Sequence, residues 1–401
     1  MRTRRAVGRW TGARRTHRPS GTRRASALGA LGLCALLLAG CTSAAEPADP
    51  TGAGAGAGAK NGDAPPPAGR TAGELLPVPR GRGSRLPDDF NGDGHRDLVL
   101  NDLVVTAGES RADGKGGGGP DGDAGIGIVH GTAGPRPLDP SVRRLLTPRA
   151  HATAVRGGPP AVFEAATSCD LDGDGFADLV IATDTPPYDG PGGPPVPLQL
   201  LFGSPTGLSG TAVALRIPEQ ARPGDVQPGP VCGDFDGDGS ADLAVTASAR
   251  GAGFRVVLLR GPFSRTGAPR AAAATVSVGG PALSAPTTGP DADSDGYDDL
   301  VVLARAPRPG TAAGGTLLLG GPDGPGRAGG PYRAEPLPLP ELPTGGDSIT
   351  ELLRRADFDG DKRPDLVTRT TYRGERRDVV ALYGAGRRQP MITFSTSVFL
   401  R

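Results

Sequence analysis

The stretch Asp234-Phe-Asp-Gly-Asp-Gly-Ser-Ala-Asp242, which runs directly into Leu243-Ala-Val245, decides how this chain is interpreted. Counting Asp234 as position 1, acidic side chains stand at positions 1, 3, 5 and 9, and glycines at positions 4 and 6. Alternate residues of a tightly coiled loop point inward, and glycine relieves crowding where φ turns positive. This oxygen cage, completed by the backbone carbonyl of Ser240, suits Ca²⁺, which accepts six to eight oxygens in a flexible geometry.

The residues after position 9 decide what kind of calcium loop this is. An EF-hand would continue to a bidentate glutamate and then into an amphipathic helix. Here a short apolar run of the β type begins at once, so the sequence predicts a loop followed by a strand.

The same loop occurs five times, and we predict one Ca²⁺ in each copy. The copies begin 81, 64, 57 and 66 residues apart, which indicates a repeat architecture. The predicted ligands at positions 1, 3, 5, 7 (backbone carbonyl) and 9 are Asp89, Asn91, Asp93, His95 and Asp97; Asp170, Asp172, Asp174, Phe176 and Asp178; Asp234, Asp236, Asp238, Ser240 and Asp242; Asp291, Asp293, Asp295, Tyr297 and Asp299; and Asp357, Asp359, Asp361, Arg363 and Asp365.

Three copies depart from the pattern. Asn91 replaces an acid in loop 1, which keeps an oxygen donor but lowers the charge of the site. Ser294 replaces glycine at position 4 of loop 4. In loop 5, Lys362 stands at position 6 and must adopt a conformation that glycine prefers, and Pro364 stands at position 8, so whether this loop holds metal is left open.

Each loop is followed by a predicted strand and then by a second strand that ends on a glycine or at a glycine turn. The first two units carry Gly-rich insertions inside this hairpin, over 108–125 and 183–195. A ligand-contacting role and a merely flexible hairpin tip are both open for these insertions. The final run, 391–399, could supply the closing strand of the last unit.

Composition favours an exported protein without a nucleic-acid partner. Residues 1–40 carry nine arginines and no acid, although the formal net charge of the 401-residue chain is only +1. The remainder is therefore acidic before metal binds, and no basic stripe is visible in it. Gly 66 and Pro 43 are levels typical of disorder, but much of both lies in turns between short apolar runs.

The N-terminal region reads as a leader and a tether. Residues 1–40 are an Arg-rich segment followed by a short apolar segment, as in a secretory signal peptide. Leu38-Ala-Gly-Cys41 resembles the bacterial lipobox, which implies cleavage before Cys41 and lipidation of its sulfur, with an ordinary signal peptide and an incidental cysteine as the alternative. Export through the Sec or the twin-arginine route is left open. Residues 41–84, rich in Ala, Gly and Pro, are predicted to be a disordered tether.

The loop, the strand after it and the second strand with its glycine turn together resemble the FG-GAP/VCBS repeat, over roughly 85–401. The repeat is found in integrin α-subunit propellers and in many secreted bacterial proteins. The resemblance implies an all-β fold, a β-propeller with one four-stranded blade per unit and calcium between the first two strands. Integrin propellers have seven blades, whereas five loops are present here, which favours five blades.

Catalytic residues are not evident in the sequence. The four histidines lack a neighbouring nucleophile, and neither a G-x-S-x-G nor an H-E-x-x-H motif occurs. Cys169 and Cys232 each precede a metal loop, at one and two residues before its first ligand. Strand alternation would then point them to opposite faces, so a disulfide and two buried thiols both stay open.

From these observations we expect a calcium-stabilised propeller, lipid-anchored on the outer face of the cell membrane. It would be a monomer that binds a protein or a glycan and catalyses nothing. The alternative is an exported hydrolase acting on lipid or polysaccharide through an unrecognised active site. Assigning function from a fold is analogy, so the ligand itself cannot be named from the sequence.

Overall fold

The computed structural model describes residues 75–104, 124–184, 196–222, 224, 226–248, 253–287, 289–305, 313–334, 348–372 and 378–400. The predicted signal peptide, Cys41, most of the predicted tether and nearly all of both Gly-rich insertions lie outside these residues. The described residues belong to one compact unit that spans 68–401.

Nineteen strands form five antiparallel sheets that follow one another along the chain, and the fold is a five-bladed β-propeller, as predicted. Among the described residues, blade 1 has three strands and the other four blades have four each. The strands are β1 Leu98–Val104, β2 Ala124–Gly131 and β3 Leu138–Leu146 in blade 1; β4 Glu164–Cys169, β5 Asp178–Ala182, β6 Leu198–Leu201 and β7 Val213–Ala214 in blade 2; β8 Val231–Gly233, β9 Asp242–Ser248, β10 Phe254–Arg260 and β11 Ala271–Val278 in blade 3; β12 Ala282–Ser284, β13 Leu300–Leu303, β14 Ala313–Leu319 and β15 Arg327–Ala334 in blade 4; and β16 Ser348–Ala356, β17 Asp365–Tyr372, β18 Asp378–Tyr383 and β19 Ile392–Phe394 in blade 5.

Helical structure in the described residues is limited to three short pieces. These are the α-helix α1, Pro148–His151, and two 3-10 helices, Glu219–Ala221 and Thr396–Leu400. None of them has the length or the apolar character to cross a membrane.

Buried apolar clusters lie between the blades, not inside them. The residue at position 2 of a metal loop reaches into the cluster shared with the following blade, and its side chain is almost fully buried. Phe90 lies between blades 1 and 2, Leu171 between blades 2 and 3, Phe235 between blades 3 and 4, and Phe358 between blades 5 and 1. The metal loop is therefore also the element through which four blades hold their neighbours.

The junction between blades 4 and 5 is built differently. Position 2 of loop 4 is Ala292, which is exposed, and no buried apolar cluster joins these two blades among the described residues. At two other junctions the N–H at position 8 donates to the carbonyl at position 1 of the preceding loop, from Ala177 to Asp89 and from Asp298 to Asp234. Pro364 holds this position in loop 5 and has no N–H to donate.

The C-terminal residues close the ring. Strand β19 is the outer strand of blade 5, so the predicted closing strand is confirmed over part of its length. The 3-10 helix that follows places Phe399 in the cluster that joins blade 5 to blade 1. A Cβ added to Gly127 would lie 2.8 Å from the Phe399 ring, so this glycine permits the close approach.

Cys169 and Cys232 form a disulfide between the inner strands of blades 2 and 3, with their Cα atoms 6.2 Å apart. The sequence left a disulfide and two buried thiols open, and the structure shows the disulfide. Adjacent blades present opposite sheet faces to each other, so a difference of one residue in phase brings the two side chains together. Both cysteines lie in the apolar cluster that those blades share.

Blade 1 lacks an inner strand in the described residues. In every other blade a strand precedes the metal loop and pairs with the strand after it. Before loop 1 the chain instead has Pro87, which cannot donate to a ladder, and Asp88, whose φ is +62°. Upstream, Gly81 and Ser84 donate to carbonyls of loops 1 and 2, so the chain runs over the loops.

Candidate metal centres

The five predicted metal loops lie at equivalent places, and they open onto β1, β5, β9, β13 and β17. Positions 4 and 6 have positive φ in all five loops, and glycine occupies eight of these ten positions. The exceptions are Ser294, with φ +62°, and Lys362, with φ +64°. The prediction that Lys362 adopts a glycine-like conformation is confirmed.

Carboxylates hold each loop in its coiled shape. In loop 2, Asp170 accepts the backbone N–H groups of Gly173 and Gly175, both at 2.8 Å. The carboxylate at position 5 accepts the N–H at position 7 in every loop, as Asp174 does from Phe176 at 3.1 Å. The backbone of the residue at position 7 is thus held through its N–H group in every loop. That its carbonyl is a metal ligand stays a prediction for His95, Phe176, Ser240, Tyr297 and Arg363.

The acid at position 9 links the loop to the far end of the next hairpin. Asp178 accepts the N–H of Gly203 at 2.9 Å, and Asp242 accepts that of Gly261 at 2.9 Å. Asp97 and Asp299 do the same, while Asp365 accepts the N–H of the residue after the glycine. One oxygen of this residue is therefore committed to the fold. The other oxygen accepts the N–H at position 2 in loops 1, 2, 4 and 5, and among the described residues only Asp242 keeps a second oxygen without a partner.

Four loops bring three carboxylate oxygens within 4.8 Å of one another. Such a group of hard oxygen donors suits a divalent cation of the calcium type. The groups are Asp170, Asp172 and Asp178; Asp234, Asp236 and Asp242; Asp291, Asp293 and Asp295; and Asp357, Asp359 and Asp361.

Loop 3 fits a cation best. The Oδ2 atom of Asp242 and the Oδ1 atom of Asp234 are buried and have no hydrogen-bond partner among the described residues. Burial raises the pKa of Asp242 to about 7, although a hydrogen bond from Gly261 opposes the shift. Leaving such an oxygen unpaired is costly, and a bound cation would satisfy it.

Loop 2, like loop 3, holds a buried carboxyl group whose pKa is raised. Burial, and to a lesser degree the neighbouring charges of Asp172 and Asp170, raise the pKa of Asp178 to about 8, against hydrogen bonds from Gly203 and Leu171 that favour the charged form. A carboxylate in this environment is ionised at neutral pH only if positive charge is brought close to it.

Loop 1 is arranged differently, and among the described acids it forms no comparable three-carboxylate group. The Asn91 side-chain amide donates to the carbonyl of Pro79 at 2.9 Å and to Asp93 at 3.0 Å. Its buried Oδ1 atom has no partner among the described residues and could face a cation. Metal in loop 1 therefore stays a prediction.

The loop has a further partner, His130, whose Nδ1 lies 3.0 Å from Asp97 with both side chains fully buried.

Arginines approach three of the acidic groups, which the sequence did not reveal. Arg265 lies 2.5 Å from Asp172 and from Asp174, and Arg260 lies 2.7 Å from Asp236. Arg270 also pairs with loop 3, and Arg327 lies 3.8 Å from an acid of loop 4. The repulsion among the carboxylates is thus relieved in part by guanidinium groups, and a bound cation would compete with them.

A cavity of about 210 Å³ lies where the inner strand of blade 1 would run, between blades 5 and 2. Asp88, at its wall, accepts hydrogen bonds from the Ser168 hydroxyl and the Arg354 guanidinium. Small or apolar residues precede the other four loops, namely Cys169, Gly233, Pro290 and Ala356. Asp88, an acid directly before a metal loop, is the one residue from which the sequence could have indicated the cavity.

No model of a known protein family matches this chain, and no curated protein is similar to it in sequence.

Proposed function

We propose that this chain is a calcium-stabilised binding module, anchored by lipid at Cys41 on the outer face of the cell membrane, that recognises a protein or glycan partner. The resemblance of its five loops to FG-GAP/VCBS repeats and the lipobox-like Leu38-Ala-Gly-Cys41 support this assignment. The propeller carries broad loop faces and an axial cavity, which suit recognition.

The observation that carries the calcium assignment is the unpaired, buried Oδ2 atom of Asp242 beside Asp234 and Asp236. Asp234, Asp236, Asp238 and Asp242 would hold the ion, with the carbonyl of Ser240. Calcium would supply the positive charge that keeps Asp242 ionised and would join two neighbouring strands of blade 3.

Thermal unfolding in Ca²⁺ and in EGTA tests the metal assignment. A site saturated at about 100 times its dissociation constant stabilises the fold by about 2.7 kcal/mol. We expect Asp242→Asn to lose a contribution of this size in Ca²⁺. The control is Asp139→Asn, at a buried acid on β3 outside the loops, which should keep the full calcium response. Equal melting in Ca²⁺ and EGTA, with no metal found by mass spectrometry, would refute the assignment.

Binding and anchoring are tested separately. The full chain, displayed with Ca²⁺ or with EGTA on glycan arrays and in pull-downs, should retain a partner only with Ca²⁺. Cys41→Ser should move the protein from the membrane fraction to the medium. Retention of a partner in EGTA would contradict the role of calcium, and membrane association of the Cys41→Ser variant would contradict lipidation.

A further inference from the structure

In the part of the chain that the structure describes, one strand edge at the axis of the propeller has no partner strand. Strands β4, β8, β12 and β16 are the inner strands of their blades, and each pairs with the strand that follows its metal loop. Strand β1 holds the place of that second strand in blade 1, and no described strand pairs with its inner edge. An open strand edge carries unpaired backbone groups that can bind another extended chain.

The backbone groups on this edge can be identified. The N–H of Asp97 donates to the carbonyl of Asp88, on the side where an inner strand would lie. Successive residues of a strand direct their backbone groups to alternate sides, so the N–H and C=O of Val99 face the same side as those of Asp97. The next carbonyl on that side, from Asn101, accepts the Arg369 guanidinium at 3.2 Å.

The cavity in front of this edge has the size and polarity for a short peptide. Its volume of about 210 Å³ corresponds to about seven water molecules at their share of liquid volume, which is the space of the one or two central residues of an extended peptide. Leu98, Val99 and Leu353 provide apolar wall, and Thr167 and Ser168 provide hydroxyl groups.

The charge at the cavity selects the ligand. The Arg354 side chain pairs with Asp88 and is still 47% exposed, whereas the Asp88 side chain is 7% exposed. Arg96 also faces Asp88, at 4.0 Å. An incoming ligand therefore meets arginine before it meets the carboxylate, which favours an acidic group in bidentate contact with the guanidinium.

We propose that blade 1 binds an extended acidic peptide segment of a partner protein, which adds to the inner edge of β1 at Val99 and pairs a carboxylate with Arg354. The proposal rests on the proposed binding function and names the class of its partner. In this mode backbone hydrogen bonds supply affinity and the side-chain contacts supply specificity. The partner strand would occupy the position of the inner strand, which in each of the other four blades is a strand of this chain.

Hydrogen exchange at single-residue resolution tests the site in the full chain, with Ca²⁺ present. The probes are two random pentapeptide libraries with blocked termini, one with glutamate and one with lysine at the central position. Without peptide, we expect the Val99 amide to exchange much faster than those of Leu98 and Leu100, which face β2. The glutamate library should slow the Val99 amide at least tenfold, and the lysine library should leave it within twofold.

Two variants separate this site from other modes of binding. In Arg354→Gln, the glutamate library should slow exchange of the Val99 amide no more than the lysine library does. Arg355→Gln, at the next residue of the same strand, should keep the difference between the two libraries. Val99→Pro removes one N–H from an edge that tolerates proline, so it should fold and lose the peptide. Because the Val99 side chain also packs against the cluster between blades 1 and 2, the exchange rate of the Val99 amide in the parent chain, and not the folding of Val99→Pro, decides whether this N–H is already paired.

The remaining outcomes are also decisive. Slow exchange of the Val99 amide without peptide, or equal protection by both libraries, would overturn the proposal. If Val99→Pro still retained a partner in calcium-dependent pull-downs, the proposed binding function would stand and this site would not be the one that serves it.

Discussion

Phe235→Ala should weaken the propeller at one identifiable place, the contact between blades 3 and 4. Phe235 stands at position 2 of loop 3 and is 1% exposed. Its ring packs in a cluster with Ala244 and Leu258 of its own blade and Leu300 and Leu318 of the next. Its backbone also ties the two blades, because its carbonyl accepts the N–H of Gly321 at 3.1 Å.

The expected cost follows from burial. Replacing a fully buried phenylalanine by alanine removes its apolar contacts and leaves a cavity, at about 3–5 kcal/mol. The backbone bonds are unaffected, so the loss is that of the side chain alone. At roughly 2–4 °C per kcal/mol for a domain of this size class, the melting temperature should fall by about 10 °C.

Loop 4 supplies the matched control. Ala292 occupies the same loop position, is exposed and touches no buried cluster among the described residues. Ala292→Ser should therefore change the stability by no more than about 0.5 kcal/mol. Phe358→Ala, at the equivalent buried position of loop 5, should resemble Phe235→Ala.

Denaturant unfolding in saturating Ca²⁺ measures these differences and keeps metal binding constant. The reasoning predicts a gap of at least about 2.5 kcal/mol between Phe235→Ala and Ala292→Ser. If both variants lost the same stability, or if Phe235→Ala lost less than about 1 kcal/mol, position 2 would not be the residue through which the blades hold each other.

Three further outcomes are expected. Removing the disulfide by replacing Cys169 and Cys232 with serine should cost about 4 kcal/mol for a 63-residue separation, and thermal unfolding under non-reducing conditions would measure it against the parent chain. In EGTA, the free energy of unfolding should fall as pH rises from about 4 to 8. Burial raises the pKa of Asp178 to about 8 and that of Asp242 to about 7, so the folded state binds more protons than the unfolded state. Ca²⁺ should remove this dependence on pH, and a rise of stability with pH in EGTA would contradict the assignment. Lys362→Gly should stabilise the chain by about 1 kcal/mol because φ is +64° there, as calorimetry at constant Ca²⁺ can show, and a destabilised variant would contradict the reasoning.

The metal loops could be predicted because their information is local. A spacing of alternating acids with glycines at positions 4 and 6 fixes backbone conformation within nine residues, and the structure reproduces it even at Ser294 and Lys362. The arginines that approach the loops could not be predicted in the same way. Arg265 and Asp174 are 91 residues apart in sequence, and only the stacking of blade 3 on blade 2 brings them together.

The disulfide shows how a correct local rule left the pairing of two cysteines undecided. Cys169 and Cys232 do differ in phase along their strands, and alternation does place them on opposite sheet faces. The missing step was the arrangement of blades around an axis, which turns opposite faces of neighbouring sheets toward each other. Knowledge of the propeller alone would have decided the pairing, because the geometry is general and involves no particular side chain.

The five repeats provide an internal comparison, because four blades show what the fold requires at a position and the fifth shows a departure. Blade 4 departs at Ala292, where the described residues form no buried apolar cluster with blade 5. Blade 1 departs at Asp88, which lines the axial cavity, and the described residues hold no inner strand for this blade. Since the other four blades fold without an acid at the position of Asp88, folding does not require one there, which is consistent with the peptide site that we propose at the inner edge of β1.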